Sequence, residues 1–449
     1  MWEYDSIPHY LETVASQIRW RRARSMVTWE LEQHIEDQRE AFAAEGHTNA
    51  QQMALTEMGD PVALGKELDR VHRPVPQYGL LALTILLALS GAILRIWLTA
   101  DWAHYDKNLD PGKTLLAFAI GCVALLFGYF LDVSWLGFQG KTVYLCVLVA
   151  GVVALVVSPR AGGVPYYARY IVLCYPVAYA FWLYTCRQRG WLGLVLSIAG
   201  GIPLAGICML VPSLFGLVTL LASGFVLLMV AAENDWFALG RRKSLLAVTI
   251  LTVFLAGTVC FRFFSSDHIL LRWNAAIHPE QDTSGMGYQA YIIKKALNIS
   301  RWFGEGSWSP DISFAEAVPG CESDALLTTL IYKAGWLSFG MVMILFAALM
   351  GLLIHRCLQH TSRLGTVVAL AVAITLLTQA FCSVAWNLGF TVLSASFPMV
   401  TGNVNTILNM WLLGLALSIF RGERIAWEHT GRETLRIPRY RIKILIQKA

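Results

Sequence analysis

Between residues 264 and 335 the chain gathers most of the groups that could do chemistry. Arg272, Lys294, Lys295 and Arg301 are cations able to neutralise anionic oxygens, and Arg160 and Arg169 flank a shorter segment upstream. Glu280 and Asp282 could together hold a divalent cation (Mg or Mn), although two carboxylates in a loop are more often only solvated. Asp324 stands ahead of an apolar run beginning near residue 336. A carboxylate there, partly shielded from water, can take a proton from a hydroxyl; it can equally cap the helix that follows. The residues alone leave both readings open. The nine cysteines are scattered singly, mostly inside apolar runs, with no CxxC or Cys/His spacing, which argues against a zinc or thiol-redox centre. Cys321, alone in the 264–335 segment, is expected to be a free thiol.

The elements that must position these groups are membrane spans. Of 449 residues 56% are hydrophobic and only 14% charged, with a mean hydropathy of +0.54. A soluble chain would carry about a quarter charged residues. A soluble enzyme, a disordered protein and a disulfide scaffold are excluded. Ten apolar segments are expected to be helices, at 78–99, 114–131, 142–158, 167–186, 190–211, 213–232, 244–263, 336–355, 364–386 and 404–420. Each is near the ~20 residues that span ~30 Å of hydrocarbon. The fold class is therefore an all-α polytopic membrane protein with a large extracytoplasmic loop at 264–335 and a basic cytoplasmic tail at 423–449.

Charge divides unevenly. Residues 1–73 hold 8 Lys/Arg against 13 Asp/Glu, a net −5, which leaves +10 for the rest. The basic residues sit between apolar runs and in the tail. Topology and anionic membrane lipids explain that placement better than nucleic acid does. With the N-terminus inside, the cytoplasmic segments hold Lys141, Arg187, Arg189, Arg241, Arg242, Lys243, Arg356 and Arg363, and both termini are cytoplasmic. No cleavable signal peptide is expected, because a polar stretch precedes the first apolar run. That stretch, 1–73, reads as a small cytoplasmic helical domain. Leu11, Val14 and Ile18, then Val27, Leu31 and Ile35, fall at helical spacing. Thr48 with Gln51 suggests a capping box, Gly59 a stop, and Asp60-Pro61 a new helix start. Residues 74–77 form a proline-stiffened linker. The MGDP turn and following GKELDRVHRP resemble a helical prefix domain found ahead of bacterial permease-like membrane proteins, which implies regulation or docking.

Arg272, then His278-Pro279-Glu280-Gln281-Asp282, Gly287-Tyr288-Gln289, Phe303-Gly304-Glu305-Gly306, Pro319 and Asp324 follow the order and spacing of the SEDS family. These are the shape, elongation, division and sporulation proteins that polymerise peptidoglycan glycan strands from lipid II. Asn387, Asn409 and Gly414 fall in the last two spans as the family expects, and ten spans with a long loop after the seventh agree independently. The resemblance covers about residues 78–422. It implies a peptidoglycan glycosyltransferase with Asp324 as catalytic carboxylate and with Arg272, Lys294, Lys295, Gln289, Glu280 and Asn387 as substrate-binding candidates. Attack of an acceptor GlcNAc 4-hydroxyl on the anomeric carbon of a lipid-diphosphate donor would yield a β-1,4 link. The implied ligands are lipid II and undecaprenyl-linked glycan, and the implied partner is a class B penicillin-binding transpeptidase. A cofactor is not required, with the cation left open.

The departures are specific. Tyr332-Lys333 replaces a Glu-Glu pair, Pro165-Tyr166-Tyr167-Ala168-Arg169 loses the glutamate of P-S-E-L-x-K, and the glycine/serine-rich stretch before the last span shrinks to Thr401-Gly402-Asn403-Val404-Asn405. Two rivals follow: a lipid-linked precursor flippase, and a non-catalytic scaffold for the transpeptidase. Spans nearly free of paired charge disfavour the flippase. The charge asymmetry is checked by cysteine labelling from outside intact cells. Positions in 264–335 should react and positions in Arg421–Ala449 should not; a labelled tail overturns this orientation.

Overall fold

The computed structural model describes residues 6–100, 111–161, 164–211, 213–265, 267–308, 313–360 and 362–422; the tail expected at 423–449 lies outside them. Four helices open the chain: α1 (Ile7–Gln17), α2 (Arg21–Ala44), α3 (Ala50–Met58) and α4 (Pro61–Val71). They share a core of Ile7, Tyr10, Leu11, Val14, Ile18, Val27, Ile35 and Leu55. Gly59 closes α3 at φ +80°, a region open to glycine. The Asp60 carboxylate then caps α4, accepting from the Val62 and Ala63 amides at 3.1 and 3.2 Å. The capping box expected at Thr48 is not formed: Asn49 is the N-cap of α3 and its side chain makes no capping bond.

The membrane part begins with α5 (Tyr78–Thr99), α6 (Pro111–Phe130), a short α7 (Val133–Phe138) and α8 (Gly140–Val157). A two-residue hairpin pairing Arg160 with Pro165 leads to α9 (Ala168–Ile171), α10 (Tyr175–Thr185), α11 (Gly190–Leu210), α12 (Leu214–Glu233) and α13 (Arg241–Phe264). The expected loop is itself largely helical, with α14 (Asp267–Ile277), α15 (Tyr288–Ile299), α16 (Phe314–Ala317) and α17 (Leu326–Ala334). The last spans are α18 (Trp336–Gln359), α19 (Arg363–Asn387) and α20 (Asn403–Arg421). Among the described residues, eight helices are long and apolar enough to cross a membrane. The expected spans 167–186 and 244–263 correspond to α9–α10 and α13. The first of these is not one regular helix. Pro176 lacks an N–H and its ring crowds the preceding turn, and a 3₁₀ stretch at Val172–Cys174 precedes it.

The bundle is organised on α19 and α20, its most buried spans. α20 lies directly against α6, because a Cβ on Gly414 would collide with the Leu125 carbonyl and one on Gly128 with that of Trp411. Small residues permit this contact in a medium where packing, not water, drives helix association. The linker is fastened at the far end: Val75 N–H donates to the Arg421 carbonyl at 3.2 Å. The N-terminal helices and the end of α20 therefore lie on one side of the bundle.

Asp69 binds the small domain together. Its carboxylate accepts from the Arg19 amide at 2.8 Å and from Arg73 Nε and Nη2 at 3.1 and 3.0 Å. Burial works against the charged form, but these bonds outweigh it and hold the carboxyl below its usual range. Its contribution is therefore complete above the unfolded-state value of about 3.9 and fades as pH falls through the lower folded value. Asp69→Ala, which removes the acceptor of the Arg19 amide and of Arg73, should cost the domain about 1 kcal/mol at neutral pH in denaturant melts. A domain of unchanged stability would refute the role.

Candidate active site

Asp324 does not lead straight into α18. The nine-residue α17 intervenes, and Gly335 (φ +92°) makes the turn between them. Nor does Asp324 cap α17: the N-cap is Ala325, with no side-chain capping bond. That work falls to Asn387, which is fully buried at the end of α19. Its Oδ1 accepts from the Thr328 amide at 2.8 Å, while Nδ2 donates to the Asp324 carbonyl at 2.9 Å and the Ser383 carbonyl at 2.8 Å. The expected substrate contact at Asn387 is thus replaced by a positioning role, since both ends of its amide are engaged within the protein.

Held this way, the half-buried Asp324 carboxylate meets the chain between α19 and α20. Ser394 Oγ donates to Oδ2 at 3.1 Å and Ser396 Oγ to Oδ1 at 2.9 Å. An ionised carboxylate offers about four lone-pair directions, so each oxygen keeps capacity for a further partner. It lines a cavity of about 260 Å³ together with Arg169, Tyr170, Ser213, Arg272, Gln379 and Asn405. Arg169 interacts electrostatically with Asp324. It is fixed by a 3.0 Å bond to the Tyr170 hydroxyl and by the Tyr166 and Tyr170 rings, 5.5 and 4.9 Å from its guanidinium carbon. One carboxylate sharing a cavity with two guanidinium groups is an arrangement able to remove a proton beside an anionic group that must be neutralised.

Arg272 is the expected substrate cation that reaches this cavity, from α14. The other loop candidates stand elsewhere. Lys294 Nζ donates to the Ala276 and Ile277 carbonyls at 3.4 and 3.3 Å, closing the end of α14. Lys295 points over the Trp308 ring, 5.6 Å from its centre. Gln289 is half-buried on α15 and does not line the cavity. Glu280 lies 3.5 Å from His278 Nδ1 and is exposed. Each Asp282 oxygen accepts one main-chain amide, from Gly285 and Met286, at 2.8 and 2.9 Å. No group of three or more metal-ligating side chains occurs among the described residues.

The departures from the family pattern also have places. Tyr332 is buried and stacks on Phe314, 4.1 Å between centres at 6°. Ile292, Ala296, Val318 and Cys321 complete this core of the loop. Cys321 is a buried free thiol, and burial, reinforced by neighbouring Glu322, pushes it up to about 12. Lys333 Nζ donates to the Leu98 carbonyl at 3.0 Å, binding α17 to α5. Sequence reasoning missed Ser394, Ser396, Gln379 and Asn405 as wall residues, gave Arg169 too little weight, and passed over Arg95. Arg95 is buried within α5, hydrogen-bonded to the Asn403 side chain and electrostatically paired with Glu322. A charge inside an apolar run was the signal for it.

No protein-family model matches the chain. A probable peptidoglycan glycosyltransferase FtsW of Trichlorobacter lovleyi is 23% identical over 205 residues, 42% of this chain and 54% of that protein. The corresponding protein of a Geobacter species is 23% identical over 217 residues, 44% and 58% of the two chains. The chain thus spans about half the length of the curated relatives it matches. Among solved structures, a chain of a peptidoglycan synthase complex superposes with a TM-score of 0.60 at 17% identity, covering 78% of this chain and 98% of that one. The rod shape determining protein RodA of Thermus thermophilus gives 0.51 at 14% identity over the same shares. At these identities the likeness to the solved structures is one of fold. The chain keeps that fold, and its own side chains build the wall around the Asp324 carboxylate.

The clamp at Asn387 has a measurable consequence. Asn387→Ala leaves the buried Thr328 N–H without its partner, which costs about 1–3 kcal/mol. Thermal unfolding in detergent should shift down accordingly, and a variant melting like the parent would show that α17 is held by other means.

Proposed function

We propose that the chain is a peptidoglycan glycosyltransferase that polymerises lipid II at the outer face of the cytoplasmic membrane, with both termini cytoplasmic. One observation carries the reading: the Asp324 carboxylate, fixed by Ser394 and Ser396, lines one cavity with Arg169 and Arg272. The names of the FtsW relatives support the same reaction class. The cavity lies at the end of α20 opposite the linker. From Asn405 to Arg421 is 16 residues of helix, about 24 Å at 1.5 Å per residue. With the N-terminal domain cytoplasmic, the cavity opens toward the outer leaflet.

In the proposed reaction the acceptor 4-hydroxyl oxygen bonds to the donor's anomeric carbon as the bond from that carbon to the diphosphate breaks. The electron pair leaves with the lipid diphosphate and the hydroxyl proton passes to Asp324. Because the leaving group is already activated, the protein has to orient the reactants, accept one proton and balance growing negative charge. Arg169 and Arg272 supply that balance. The proposed partner is a class B penicillin-binding transpeptidase, supported by a neighbour described as coordinating polymerization and crosslinking within a complex. The N-terminal domain is proposed as a regulatory or docking module in shape, division or sporulation.

Purified protein should extend lipid II into glycan, and Asp324→Asn should lower the rate by about 10²–10⁴ while leaving lipid II binding intact. Arg169→Ala and Arg272→Ala should weaken both capture and turnover. An Asp324→Asn protein of full activity would remove the catalytic assignment. A parent protein inert on lipid II but needed to localise a transpeptidase would favour the scaffold.

A further inference from the structure

The side of the bundle that carries the N-terminal domain can be followed from helix to helix. The Arg421 guanidinium, at the end of α20, lies over the Tyr129 and Phe130 rings, 4.6 and 4.9 Å from their centres, so α6 ends on that side. The short α7 leads from there into α8. Both α8 and α11 begin against the end of α10. A Cβ on Gly140 would meet the Thr185 methyl at 2.8 Å and the Phe181 carbonyl at 2.9 Å, and one on Gly193 would collide with the Cys186 carbonyl. Lys141, the second residue of α8, and Arg189, just ahead of α11, therefore flank the last turn of α10, and both interact electrostatically with the Cys186 thiol. Both are exposed, and among the described residues neither has an ion-pair partner. Arg241, at the start of α13, differs in being paired with Glu233.

Aromatic rings mark the depth of this pair. Trp135 and Phe138 on α7 and Trp191 on α11 are each more than half exposed, close in sequence to one cation or the other. Exposed aromatic rings at the end of a span sit at headgroup level. Lys141 and Arg189 accordingly stand where lipid phosphates lie. Below Lys141 the same face of α8 continues, at steps of four residues, with the exposed Leu145 and Val149. A cation above an apolar stripe matches the order of headgroup and acyl chain in a lipid.

We propose that Lys141 and Arg189 together hold the headgroup phosphate of an anionic phospholipid, with an acyl chain along the Leu145 and Val149 face of α8. The occupant belongs to the leaflet on the N-terminal domain's side. A zwitterionic lipid carries its own cation beside the phosphate and gains less from the pair. This site is independent of the Asp324 cavity and of the glycosyltransferase reading.

The test is native mass spectrometry of the full-length protein released from bilayers of equal phosphatidylglycerol and phosphatidylcholine. The parent should retain phosphatidylglycerol in preference. Lys141→Gln/Arg189→Gln should bind it more weakly, by about 5-fold for each cation lost and about 25-fold for both. The control is Arg356→Gln/Lys243→Gln, which removes two exposed cations of α18 and α13 and should leave the retained lipid in place. Equal losses in the two double variants overturn the proposal, because the charge then acts as a diffuse field. No loss in the first variant overturns it too. A parent without preference for phosphatidylglycerol rejects it before any variant is made, and leaves the pair to an acidic protein.

Discussion

The side-chain amide of Asn387 joins three pieces of chain in a region that water does not reach. It caps α17 through Thr328, holds the main chain of Asp324 and returns to its own helix at Ser383. In hydrocarbon a freed backbone group finds no substitute partner, so such a clamp is worth more than its bond count at a wet surface. The direction of the Asp324 carboxylate follows from it. With the main chain fixed from α19, the side chain meets the segment carrying Ser394 and Ser396 and lines the cavity. The geometry of this carboxylate thus depends on the packing of α19, the most buried of the eight candidate spans among the described residues.

Charge at this end of the bundle lies in two tiers. Arg169 and Arg272 line the cavity, whereas Arg95 sits behind it, paired with Asn403 and Glu322. The Tyr166 ring ahead of α9 and the Tyr170 ring on it lie against the Arg169 guanidinium. The lysines of α15 serve structure instead, one closing α14 and the other resting on Trp308.

Hydropathy made the spans legible because lipid imposes one length and one composition on every crossing helix. The break before α10 was legible only as a proline whose local effect the hydropathy pattern does not report. Asp324 could be found through its spacing to Pro319, but its environment could not. Ser394 and Ser396 are 70 and 72 residues away in sequence and look like ordinary turn residues. Gln379 is equally quiet in sequence, one amide beside the hydroxyls of Thr375, Thr378 and Ser383 in a long apolar run. Its place in the cavity wall is set by the fold. Gln289 and Glu280, within the motif spacing, and Lys294, on a helical stretch, show the opposite case: suitable chemistry that does not line the cavity.

The Tyr332 ring carries a consequence for what this part of the loop can accept. The position is committed to a face-to-face stack with Phe314, edged by Trp308. A glutamate there would put a charge into an apolar cluster. Tyr332 and its aromatic neighbours can therefore change only together, so the core of the loop works as a lock on its own composition.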